Sequence, residues 1–393
     1  MIFDLEKVQA HMRETGVGAW LVYDFRGSNP VFWQLLGQRR KTSRRVFLSI
    51  PDAGEPRLLG AAVEPDALAG LGVDIELYVS WAQMQELLRG AVGSCGKVAM
   101  EYVPGGELPI MSWVDGGTLE MVRALGPEIA SSADLCQIAL ATWSAEALAS
   151  HRDACLQVAE VKDAAFEHIR YGLENHTALT EYEVQEFIAA EFAKRDLDMD
   201  HPPIVGVNHN SGNPHYEPSR ESFAPIRHGD WILIDLWARH PGEQHVFGDI
   251  TWVAFAGRRV PEAQAEVFAI VREARDQVVE RLRQAWAGGE ALQGWHLDRV
   301  ARDLIAARGY GERFVHRTGH SLGPGPNIHA LGVNLDDLET HDARQIMPGI
   351  GFSVEPGIYL EEFGVRLEIN MYVDPENGPE VTTPIQDEVV LLA

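Results

Sequence analysis

The sequence predicts an α/β chain in two parts: a small α/β unit over 1–140, then a larger unit over 141–393 in which one arrangement occurs twice. Three observations carry this reading. Helical and strand-like segments alternate up to about residue 140, a helix–helix–loop–hairpin order then runs over 144–256, and the same order returns over 260–373. The two stretches are 113 and 114 residues long, close enough to point to a duplicated domain. A chain of 393 residues also suits two domains.

In the first part, Leu5 to Thr15 reads as a helix closed by Gly16, and AWLVY (19–23) and RVFLSI (45–50) read as buried strands. Its scattered charges read as a solvated face. In the second part Ser144 can cap a long helix, predicted to run to about Tyr171 and to stop at Gly172. Thr180-Glu181-Tyr182-Glu183 is a capping box that opens a second helix, to about Arg195. HPPIVGVNHNSGNPHYEP reads as a loop, and WILIDLWA and HVFGDITWVAF as strands. The order then repeats. Val267, Ile270, Val271, Ala274, Val278 and Leu282 share one helical face, Gly288-Gly289 ends that helix, and a shorter one ends at Gly309. A Gly/His-rich loop follows, then the strands IGFSVEPGIYL and GVRLEINMYV.

Composition narrows the function. With 33 Lys and Arg against 58 Asp and Glu, the formal charge is −25, which argues against nucleic acid or an anionic membrane as partner. At 46% hydrophobic and 23% charged residues, disorder and fibrous classes are excluded. Cys95, Cys136 and Cys155 lack CxxC spacing and suit reduced thiols. The opening MIFDLEKVQAHMRETG has acid where a signal peptide needs a basic start, and no stretch reaches the roughly 18–20 apolar residues of a membrane span. The expected setting is the cytoplasm.

The chemistry sits in the hairpins. Asp235 and Asp249 each interrupt an apolar strand, and a turn at Pro241-Gly242 would set them directly opposite. Two ionised carboxylates that close in an apolar sheet repel, so either one is protonated or a cation lies between them. The second hairpin repeats the arrangement with Glu355 and Glu368 about the turn EEFG, and Arg366 shares a strand face with Glu368. Four converging carboxylates call for positive charge, and a divalent metal pair fits. The neutral donor is expected from HRTGHSLGPGPNIHALG, which holds His316, His320 and His329; His320, between Gly319 and Ser-Leu-Gly, is the best ligand candidate. One His and four carboxylates favour Mn²⁺ or Co²⁺, or Zn²⁺ when supplied. Two such ions suit hydrolysis of a carbonyl or phosphoryl compound.

The order Asp…Asp…His…Glu…Glu, with PHY ahead of it, GHxxG in the middle, VEPGIY and the closing RLE, resembles the pita-bread metallopeptidases (the creatinase and methionine aminopeptidase type). The likeness is greatest to their proline-specific branch, Xaa-Pro dipeptidases and aminopeptidases P. It implies a creatinase-like N-terminal domain, a pseudo-symmetric catalytic domain, a homodimer and a proline-containing peptide substrate. By motif, Asp235 would chelate one metal, Asp249 and Glu368 would bridge both, and His320 and Glu355 would complete the other. Glu355 would also carry the proton of the attacking water. His215, the His of PHY, and His329 match positions that contact the scissile carbonyl, and Arg366 would orient the bridging carboxylates.

Three features depart from the family pattern. The step from Asp235 to Asp249 is longer than usual. His201 stands where relatives commonly carry a tyrosine. The stretch that often supplies an Arg for the substrate's free carboxylate reads THDARQ, leaving Arg344 or His341 as candidates. The expected activity is hydrolysis of Xaa-Pro dipeptides, with removal of one residue from longer Xaa-Pro peptides as the alternative. A metal-free relative, a creatinase-like C–N hydrolase or a binding module, would lack ligands at these five positions, and all five are filled.

Overall fold

The computed structural model describes residues 3–393; Met1 and Ile2, which the expected first domain includes, lie outside them. The chain divides into two compact units, one ending at Leu140 and one running Ala141–Ala393.

The first unit is a six-stranded mixed sheet. In spatial order its strands are Asp74–Tyr78, Arg57–Ala61, Arg45–Pro51, Ala19–Phe25, Lys97–Met100 and Glu128–Ser131. The middle pairs are antiparallel and the outer pairs parallel. Helix Leu5–Thr15 begins where the Asp4 side chain accepts from Lys7 N and ends at Gly16, whose φ of +70° suits a residue without a Cβ. Its core includes Leu21, Phe47, Leu88 and Val98.

Among the described residues of that unit, Asp24 and Glu101 are buried acids. Glu101 is fully enclosed, and its carboxylate accepts from Trp20 Nε1 at 2.7 Å, Ser132 Oγ at 3.0 Å and Asn29 Nδ2 at 2.8 Å. Burial pushes its pKa up to about 7, with the three donors pulling the other way.

The second unit holds four long helices, Ala145–Glu174, Glu181–Lys194, Glu262–Gly288 and Gly294–Ala307, around two four-stranded sheets. One sheet is ordered Val390–Leu391, Gly248–Phe255, Trp231–Ala238, Ile204–Val207; the other Ser321–Leu322, Gly351–Val354, Ile369–Asp374, Gly378–Val381. The first hairpin is buried on both faces, which explains its near-continuous apolar sequence. Ile232, Ile234 and Ile250 pack with Val158, Phe166 and Ile188 of the first helix pair. Trp231, Leu233 and Val253 pack with the second helix pair and with Phe352 and Ile369 of the second hairpin. Asp235, two residues after Leu233, shares this inner face.

Four local expectations change. Gly172 does not end its helix, which continues to Glu174; a Cβ there would lie 2.3 Å from Leu179 Cδ1, so the glycine serves a close approach. Within the predicted loop, Ile204–Val207 is a strand antiparallel to Trp231–Ala238. The strand through VEPG is interrupted, Gly351–Val354 and Gly357–Tyr359 being separated at Glu355-Pro356, because proline has no N–H for a ladder. Lastly, Asp235 does not face Asp249. It pairs with Thr251, and Asp249 pairs with Trp237, because residues 239–247 form a long connection instead of a tight turn. A shift of two keeps both aspartates on one face, as diagonal neighbours about 7–8 Å apart. The second hairpin keeps the expected register: Val354 pairs with Ile369 and Gly357 with Arg366, which sets Glu355 opposite Glu368.

Candidate active site

The two hairpins face each other across a cavity of about 700 Å³. Asp235, Asp249, His320, Glu355 and Glu368 all line it. Asp249, His320 and Glu368 are buried and offer ligand atoms within 4.8 Å of one another. His320 Nε2 lies 3.3 Å from Asp249 Oδ2 and 3.7 Å from Glu355 Oε1. The ring is aimed this way because its Nδ1 sits 3.2 Å from Ser321 O, while its backbone N–H donates to Ser353 Oγ. Cross-links between the hairpins hold the acids. Thr251 Oγ1 donates to Glu368 Oε2 at 2.8 Å, Glu368 N donates to Thr251 O at 3.1 Å, and Asp249 N donates to Asn370 Oδ1 at 2.9 Å.

The charges are poorly balanced. Burial, with Asp235 and Glu355 nearby, holds the Asp249 carboxyl well above its usual range. Burial and Asp249 do the same to Glu368, and burial pushes Glu355 up to about 7. Burial, with His329 alongside, holds His320 well below the usual histidine range, so it presents a neutral ring. Arg366 is the cation inside this set. It donates to Asp235 Oδ2 at 2.5 Å, Thr251 Oγ1 at 3.1 Å and Tyr359 OH at 2.8 Å. One guanidinium does not satisfy four acids. Asp235 Oδ1 and Asp249 Oδ1 are buried with no hydrogen-bond partner among the described residues. An isolated unsatisfied carboxylate oxygen at that depth costs several kcal/mol, of order 1–3 even when neutral. Hard, anionic oxygens around one neutral imidazole fit a divalent cation.

The remaining expected residues divide. His215, His316, His329 and His201 line the cavity. The His329 ring lies 4.3 Å from that of His320, and desolvation at the cavity wall, with Arg317 nearby, lowers its pKa. His316 is committed to its own wall: Nε2 is 2.7 Å from Tyr359 OH and Nδ1 2.7 Å from Arg317 O. His201 lies 3.5 Å from Asp200. Arg344 and His341 are not brought to the cavity. Arg344 is buried, forks onto both oxygens of Asp342 at 2.9 and 2.6 Å and donates to Leu331 O. His341 pairs with Asp337 at 2.7 Å. The cation missed in the sequence is Arg317, which lines the cavity with only long contacts, 3.9 Å to Glu339 and 3.5 Å to His329 Nε2. Its position in HRTGH, between His316 and His320, was the available signal.

A repeated helix pair and hairpin, with the acidic hairpins set face to face, is the pita-bread fold. The chain belongs to metallopeptidase family M24, whose model matches residues 149–375. Among curated relatives, an Xaa-Pro dipeptidase of Lactobacillus helveticus is 33% identical over 166 residues, 42% of this chain and 40% of that protein. One from Pyrococcus furiosus is 32% identical over 188 residues, 48% of each chain. The matched stretch thus spans less than half the length of these relatives. Solved structures are similar over nearly the whole chain. Dipeptidase PepE from Mycobacterium ulcerans has a TM-score of 0.69 at 22% identity, covering 99% of this chain and 96% of that one. An X-prolyl aminopeptidase from Caenorhabditis elegans, a cytosolic enzyme with a di-nuclear active site, has a TM-score of 0.65 at 17% identity over 98% of this chain and 62% of its own. At such identities the likeness is one of fold.

Proposed function

We propose that this chain is a di-metal Xaa-Pro dipeptidase. The observation that carries the reading is the pair of partnerless buried oxygens, Asp235 Oδ1 and Asp249 Oδ1, in a set of four acids and one neutral His. Asp235 would hold one ion, His320 and Glu355 the other, with Asp249 and Glu368 shared. Bound there, the ions would polarise the scissile carbonyl and acidify a water. Glu355 takes the proton of that water and returns it to the departing proline nitrogen. His215 and His329 donate to the carbonyl oxygen as its charge develops. Arg366 keeps Asp235 oriented. Arg317, not Arg344, takes the free carboxylate of a dipeptide, because among the described residues its guanidinium has only the contacts at 3.5 and 3.9 Å to give up.

The family resemblance supports Mn²⁺ as the ion and a homodimer as the assembly. Three cysteines without CxxC spacing suit a cytoplasmic setting. No helix among the described residues is long and apolar enough to cross a membrane. The test is a product assay on Ala-Pro beside Ala-Pro-Ala with added Mn²⁺, on protein of measured metal content. Faster release of proline from Ala-Pro supports the dipeptidase. Much faster cleavage of Ala-Pro-Ala replaces it with aminopeptidase P, and the absence of bound divalent metal overturns both.

A further inference from the structure

The segment that carries His215 has no regular structure of its own, so something must hold its histidine at the cavity. One end is fixed by close packing on the second hairpin. A Cβ at Gly212 would lie 2.2 Å from Leu360 O, one at Gly364 would lie 2.0 Å from Ser211 O, and Ser211 Oγ accepts from Gly364 N. The other end has a different anchor. Glu181, the first residue of helix Glu181–Lys194, is fully buried, and among the described residues no cation pairs with it; its carboxylate is spent on this segment. It accepts from Val207 N at 2.6 Å, Asn210 Nδ2 at 2.9 Å, Tyr216 OH at 2.6 Å and Ala224 N at 2.5 Å. These donors come from before, within and after the His215 loop. Tyr216 is the residue next to His215, and burial together with Glu181 holds its hydroxyl above the usual phenol range, so it stays a donor.

We propose that Glu181, through Tyr216, is a positioning residue for His215, setting where the exposed imidazole meets the substrate carbonyl. The inference rests on His215 contacting substrate, as proposed above. A carboxylate suits the task because its two oxygens offer about four acceptor sites, and here they collect donors from three parts of one loop. An amide at this position would point N–H groups at other donors.

The test is a double-mutant cycle on the metal-loaded enzyme, with Ala-Pro as substrate. Tyr216→Phe removes one hydrogen bond and no packing; Glu181→Gln removes the acceptor set. Each should lower kcat about 10-fold or more with little change in KM or metal content. Neither should lower it further in a His215→Ala background, because both act through that ring. Tyr216→Phe carries the test if Glu181→Gln folds poorly. Independent losses in the His215→Ala background, or no loss in the wild-type background, overturn the proposal. A His215→Ala enzyme with full kcat would instead remove the substrate role of His215, and the positioning role with it.

Discussion

Two buried acidic sites show opposite solutions to the same physical problem. In the first unit, Glu101 is enclosed with three side-chain donors on its carboxylate. In the second, Asp235, Asp249, Glu355 and Glu368 share one guanidinium, and two carboxylate oxygens have no partner. Glu101 is complete as the protein made it. The hairpin acids are complete only with charge from outside. Burial alone therefore does not mark a functional acid; the unmet hydrogen bonds do.

The contrast can be broken by removing charge at each site. Asp249→Asn should lose both bound divalent ions and cut activity about 10³-fold or more, read by metal analysis and turnover. Full metal occupancy in that variant would falsify the shared-ligand assignment. In chelator-treated protein the same change should raise Tm by about 2–4 °C, because it relieves repulsion among buried acids. Glu101→Gln should do the reverse. It places an amide N–H against donors that expect an acceptor, at about 1–3 kcal/mol of stability, measurable by denaturant melts. Equal signs for the two variants would remove the distinction between the sites.

The same contrast separates two arginines. Arg344 is closed onto Asp342, whereas Arg317 has only long contacts. Arg317→Ala should raise KM for Ala-Pro about 10-fold more than KM for Ala-Pro-Ala. Arg344→Ala should lower stability and leave that ratio unchanged. Steady-state kinetics on both substrates decides between them.

The contrast also extends to pH. The Glu101 carboxyl has its folded pKa raised from 4.5 to about 7, so the folded state binds the extra proton in that window. Its contribution is fully present below pH 4.5 and is lost as pH rises through 7. His151 is the opposite case. Burial holds it down to about 4 from 6.5, between Phe247 O and Thr382 Oγ1, both at 2.7 Å. Its contribution is present above pH 6.5 and is lost as pH falls towards 4. Peptide-resolved hydrogen exchange between pH 7 and 4.5 should therefore show protection rising around Glu101 and falling around His151. Each change is at most on the order of 3 kcal/mol.

How much of this was legible depended on the kind of signal. Helix ends written in caps and left-handed glycines, such as Gly16 and the Thr180 box, can be read locally. The second hairpin's register followed from its short turn. The first did not, because a nine-residue connection leaves parity fixed but not register, and parity was enough to keep Asp235 and Asp249 on one face. Gly172 was misread because its reason, Leu179, lies outside the helix that contains it. Arg344 and Arg317 look alike in sequence. Only the partners in space, Asp342 for one and the cavity for the other, tell them apart.

The cross-links between the hairpins have a consequence for synthesis. Thr251 meets Glu368, and Asp249 meets Asn370, across 117 and 121 residues of chain. Contacts so distant in sequence close late, because the intervening loop must be ordered before they repay anything. A growing chain therefore exposes the Asp235–Asp249 hairpin long before its counterpart has left the ribosome. The first repeat cannot complete its inner face alone, and cutting the gene between the repeats should give halves that regain the site only when both are present.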